Sequence, residues 1–133
     1  MTSKAEKSIQ NHALWSTSAG QQGERWVAEG TDLRGANLSG MDLSGCALAH
    51  VDFANANLSG AIFIGAHIVD CNFRGADLTG CNFQKATLDG SDFREATVEK
   101  TNFARASLIG ANFQGLRLDT AHIDPRRLEF ALV

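Results

Sequence analysis

Three cysteines, four histidines and a recurrent series of aspartates are the residues of this sequence whose types can do chemistry. Cys46, Cys71 and Cys81 form an odd set with no CxxC pair, which argues against both a disulfide framework and a zinc site. Each stands where a small apolar residue stands elsewhere in the sequence, so it is expected to pack as a small hydrophobe. His50 and His67, with Asp70, offer two imidazoles and a carboxylate, which on a flat surface fall short of a metal shell, while His12 and His122 lie apart from them. Asp32, Asp52 and Asp92 have the chemistry of a general acid and base, but Asn37, Asn57 and Asn72 occupy the equivalent place. Residues of this kind are expected to hydrogen-bond nearby backbone. No catalytic residue, metal ligand or cofactor is therefore expected. Asn37-Leu-Ser39 and Asn57-Leu-Ser59 match a glycosylation acceptor, but the repeat described next generates that pattern by itself.

That shared place belongs to a five-residue repeat. From Leu33 to Ile123 a large apolar residue recurs at every fifth position without a gap. Two places earlier the residue is nearly always small, as at Ala36, Cys46, Ala56, Cys71 and Ser91; between them usually stands Asp or Asn; glycine often ends the unit, as at Gly35, Gly60 and Gly90. On an α-helix a step of five residues turns the side chain by about 140°, and in a straight strand an odd step alternates faces. The large residues share one core only if the chain bends at every unit, and the terminal glycine or polar residue supplies that bend.

The central residues also say how many sides each turn of chain has. Phe53, Phe63, Phe73, Phe83, Phe93, Phe103 and Phe113 alternate strictly with aliphatic residues. An even number of sides stacks Phe on Phe, and two sides leave too little room for inward phenyl rings. Four sides, one column through Phe53, Phe73, Phe93 and Phe113 and another through Phe63, Phe83 and Phe103, fit best.

Units such as ANLSG, ADLTG and ANFQG resemble those of the pentapeptide-repeat family, over residues 31–125 or about seven-tenths of the chain. The resemblance implies an all-β fold, a right-handed four-sided parallel β-helix, here of about five coils. It also implies a function, since some family members mimic duplex DNA and bind DNA gyrase. Mimicry needs a continuous acidic face, whereas Arg34, Arg74 and Arg94 follow two places behind acidic or amide residues and offset the field.

Both flanks are expected to cap the coil ends, giving a helical cap over 1–30, the β-helix over 31–125 and a helical cap over 126–133. Ser3 and Glu6 read as a capping box for a helix through about Leu14, with Ile9, Ala13 and Leu14 as its apolar side. Asp124 and Pro125 read as the N-cap and first residue of a terminal helix, whose Phe130 and Val133 either cover the last coil or offer a homodimer contact.

The formal charge of −3, from 15 acidic and 12 basic residues, gives no signature of nucleic-acid binding. Neither a membrane span nor a secretory signal is recognisable, so a cytoplasmic location without membrane association is expected. Ile62, Ile64, Val69 and Ile109 place apolar side chains at outward positions and form the candidate interaction surface. The sequence thus points to a non-enzymatic structural or protein–protein interaction module, with the gyrase-binding DNA mimic as the alternative.

Overall fold

The computed structural model describes residues 2–133. Helix α1 (Ser3–Thr17) leads into strand β1 (Val27–Glu29), followed by β2 (Ala47–Ala49) and β3 (His67–Val69), and a 3₁₀ helix covers Pro125–Phe130. The three strands form one parallel sheet in the order β1-β2-β3, pairing Val27 with Ala47 and Ala47 with His67. Elsewhere the coils meet through single-residue parallel bridges at the same spacing, such as Asp32 to Asp52, Asn57 to Asp77 and Asn82 to Asn102. A register of twenty residues carries four five-residue units per turn of the chain.

One unit shows why the period is five. The Asp52 N–H donates back to Thr31 O at 2.9 Å, and the Phe53 N–H donates forward to Asn72 O at 2.7 Å. The Ala56 N–H closes a turn on Phe53 O at 2.9 Å, and Asn55, third in that turn, has φ +59°. This is the turn position that favours glycine or asparagine. The Asn55 N–H reaches Arg74 O at 2.9 Å, and the Ala54 N–H is taken by the Asp52 side chain, also at 2.9 Å. Every N–H of the unit is thereby satisfied, which a buried or half-buried backbone requires.

The central residues fill the interior. Phe53, Phe73, Phe93 and Phe113 stack face to face with centroids 4.8–5.0 Å apart. Phe63, Phe83 and Phe103 form a second stack at 5.2–5.4 Å. The columns meet edge to face, as at Phe83 and Phe93, 6.2 Å apart and inclined by 83°. Alanines and the three cysteines complete the core, and the two inward hydroxyls are satisfied by carbonyls of the preceding coil: Ser91 on Ile68 O and Thr101 on Leu78 O.

The flanks differ from the sequence expectation in four respects. The N-cap of α1 is Thr2, whose hydroxyl accepts the Ala5 N–H, so the Ser3–Glu6 capping box does not form and the helix runs on to Thr17. Its buried side is Ala5, Ile9 and His12, whereas Leu14 is exposed, because a stripe spaced four and three residues apart leaves Leu14 off the contact. Coil pairing begins at Val27, ahead of the expected boundary at residue 31, since Trp26 takes the small inward place and Ala28 the central one, exchanging their sizes. At the other end Asp124 does act as N-cap and Pro125 follows it, but the segment is a 3₁₀ helix ending at Phe130 rather than a helix through Val133. Leu132 returns to the ladder beside Asn112, and the Phe113 N–H donates to Leu132 O at 2.6 Å; this backbone pairing pulls the chain out of the helix.

Candidate functional site

The aspartates and asparagines at the outward position all do one job. Asp32, Asn37, Asp42, Asp52, Asn57, Asn72, Asp77, Asn82, Asp92, Asn102 and Asn112 each accept the N–H two residues further on, at 2.9–3.2 Å, and Asp124, outside the repeat phase, does the same as N-cap of the 3₁₀ helix. Arginine reinforces some of them: Arg34 grips Asp32 with two nitrogens at 2.8 and 2.9 Å, and Arg94 holds Asp92 at 2.7 Å. The Arg34 hydrogen bonds bring the Asp32 pKa down to about 2, and those from Arg94 lower that of Asp92. Carboxylates held ionised in this way are poor proton carriers near neutral pH.

All three cysteines are buried and unpaired with one another. Burial pushes the Cys71 thiol up to about 11 and raises Cys46 and Cys81 strongly, away from the reactive thiolate. His50 Nε2 lies 3.9 Å from an Asp70 carboxylate oxygen at a half-exposed corner. Among the described residues no three His, Cys, Asp or Glu side chains converge as a metal site would need.

The apolar outward residues fall into two places. Ile64 and Val69 are partly exposed, at 38% and 36%, and Ile62 is half-buried. Ile64 borders a shallow groove of about 440 Å³ whose other wall is the end of α1 with Trp15, Ala19 and Gly20. Ile109 does not join them: Asp89 lies between it and Val69, accepting the Ser107 hydroxyl at 2.6 Å and the Ile109 N–H at 3.1 Å. Ile109 instead borders a second groove, of about 430 Å³, with Phe130, Arg126 and Arg127. The strands lie where the outward position lacks Asp or Asn, at Val27, Ala47 and His67; the chain is extended as far as Glu29, Ala49 and Val69 and turns at Gly30, His50 and Asp70, whose φ is positive.

Periodicity did not reveal the most specific polar contact in the molecule. His12 is fully buried between α1 and the coils. Its Nδ1 accepts the Trp26 backbone N–H at 2.8 Å, which leaves Nε2–H to donate to Ser44 O, also at 2.8 Å. Its neighbours hold the same junction: the Ser16 hydroxyl donates to Asp42 at 3.0 Å, and Arg25 Nε donates to Gly45 O at 2.5 Å. Spacing signals only that His12 is on the buried stripe, three places after Ile9, and not that it meets Trp26 and Ser44.

A family model described as a pentapeptide repeat region matches residues 48–123, and one described as pentapeptide repeats (8 copies) matches residues 29–65. The chain belongs to the pentapeptide-repeat family. No curated protein matches it. Among solved structures it resembles Rfr23, a pentapeptide repeat protein from the cyanobacterium Cyanothece 51142, at 25% identity and a TM-score of 0.68, over 79% of this chain and 69% of that one. QnrB1, a plasmid-mediated fluoroquinolone resistance protein, matches at 22% identity and a TM-score of 0.67, over 79% of this chain and 55% of that one. A pentapeptide repeat protein of the Arabidopsis thaliana thylakoid lumen matches at 28% identity, over 68% and 71% of the two chains, with a TM-score of 0.37. These neighbours imply a right-handed β-solenoid for the coil. Among the described residues no helix is long and apolar enough to cross a membrane.

Proposed function

We propose that this pentapeptide-repeat protein is a non-enzymatic interaction module, a rod of about five coils with its ends covered by the terminal segments, that docks a protein partner through the surface at Ile62, Ile64 and Val69. The observation that carries this reading is the exposed Ile64 on the wall of the groove against Trp15, an apolar site on coils whose outward positions are mostly backbone-bonded Asp and Asn. Ile109 serves a separate contact with Phe130, where Leu132 and Val133 are also exposed, and this end is the proposed homodimer surface. The arginines paired with Asp32 and Asp92 weigh against the gyrase-binding DNA mimic, because they neutralise the face that mimicry needs.

Affinity capture with the wild-type chain beside an Ile62→Ser/Ile64→Ser variant of unchanged circular dichroism tests the docking surface. Loss of a specific partner by the variant is the expected result, and equal recovery by both baits overturns it. Capture of gyrase subunits by both would restore the DNA-mimic reading. Sedimentation tests the second surface, with a concentration-dependent mass abolished by Phe130→Ser expected and a constant monomer mass excluding the dimer.

A further inference from the structure

We propose that His12 makes the docking of α1 pH-dependent, so that mild acid releases the helix from the coils while the coils stay folded. The geometry allows only the neutral imidazole. Nδ1 must present a lone pair to the Trp26 N–H, and Nε2 must carry the proton given to Ser44 O. A second proton on Nδ1 would set two N–H groups against each other in a fully buried site, leaving the edge amide of the first coil without an acceptor.

The surrounding groups do not rescue the charged form. Burial lowers the His12 pKa most, the Ser44 carbonyl and the Asp42 carboxylate oppose that, and Arg25 adds to it. Asp42 is already committed, with one oxygen on the Ser44 N–H and the other on the Ser16 hydroxyl. From its own helix His12 meets the Trp15 ring, centroids 5.2 Å apart, which carries no charge to offer. Released, His12 regains its ordinary pKa near 6.5. A group whose docked pKa is depressed binds more protons when free, so docking is strongest above about pH 6.5 and weakens as pH falls below it.

Apart from the Ser16 hydroxyl on Asp42 and the Glu24 N–H on Asn11 O at 3.2 Å, little else holds the helix. Its buried side chains are Ala5, Ile9 and His12, and the chain returns at Gly23, where a side chain would strike Asn11 O. Only the first coil shares these contacts, through the Trp26 N–H and the packing of Ala5 and Ile9; the later ladders and the phenylalanine columns are internal to the coils.

The protein carries its own reporters. Both tryptophans, Trp15 and Trp26, lie at this junction, there is no tyrosine, and seven of the eight phenylalanines are inside the coils. Tryptophan emission therefore follows α1, while the near-ultraviolet dichroism of phenylalanine follows the coils. From pH 8 to pH 4.5 the emission should shift to the red with phenylalanine bands unchanged, and His12→Gln should remove the pH dependence. The His12 ring resonance in NMR should titrate with the emission change, which keeps the test valid if the variant is undocked throughout. An emission that stays constant, that moves equally in His12→Gln, or that changes only together with the phenylalanine bands overturns the proposal.

Discussion

The column through Phe83 and the junction through His12 are both fully buried, yet they are held in opposite ways. Phe83 stacks on Phe63 and Phe103 and meets Phe73 and Phe93 edge to face, and each of those neighbours repeats the pattern. His12 makes two contacts that occur once each, to Trp26 and Ser44, and no other residue duplicates them. A repeated core distributes its stability over many similar contacts, whereas a unique junction concentrates it in a few polar atoms.

The largest expected effect tests the repeated half of this contrast. Phe83→Ala should lower unfolding free energy by about 3–5 kcal/mol, read by denaturant titration, with tryptophan and phenylalanine signals lost together. Ile9→Ala should cost about 2–5 kcal/mol of helix docking, and there the tryptophan transition should precede that of the coils. Coincident transitions in Ile9→Ala would erase the distinction between the regions.

The corners sharpen the comparison within the coils themselves. Gly75 has φ +70°, and the Asn55 side-chain oxygen lies where a Gly75 side chain would begin. Gly75→Ala should therefore cost more than the roughly 1–2 kcal/mol that the left-handed backbone alone exacts from an L-residue, and Asn55→Gly should recover part of the loss. Lys85, at φ +61°, is the converse case: Lys85→Gly should raise stability by about 1 kcal/mol, measured as a higher denaturation midpoint.

The coil half of this contrast was legible in the sequence because periodicity is a collective signal. Nothing in Leu33 alone requires a bend every five residues, but the unbroken series to Ile123 does, and the alternation of Phe from Phe53 to Phe113 carries the number of sides. The junction was not legible, because His12 and Ser44 lie 32 residues apart and meet only once. The position of Trp26 in the first unit was hidden because it carries its bulk in the small place. The terminal segment misled for a different reason: Pro125 to Phe130 has helical chemistry, but backbone pairing of Leu132 with Asn112 overrides it. The isolation of Ile109 from Val69 depends on Asp89, whose side chain bridges to the next coil.

The smallest expected effect lies on the outer surface. Arg34→Ala should leave the denaturation midpoint unchanged, because Arg34 and Asp32 are well exposed and water screens the pair. The Asp32 carboxyl, followed by NMR, should nevertheless rise from about 2 toward its ordinary 3.8, separating a local charge effect from one on the fold.

The twenty-residue register makes the molecule a ruler graduated in whole turns. Excising one five-residue unit between Phe53 and Phe73 would bring Leu78 over Phe53 and break both aromatic stacks. Excising ten would restore ring over ring but bring Lys85 to the place of Gly75, against Asn55. Only the loss or gain of twenty residues keeps every residue in its own column, so duplication of a complete turn lengthens this protein without redesigning its cross-section.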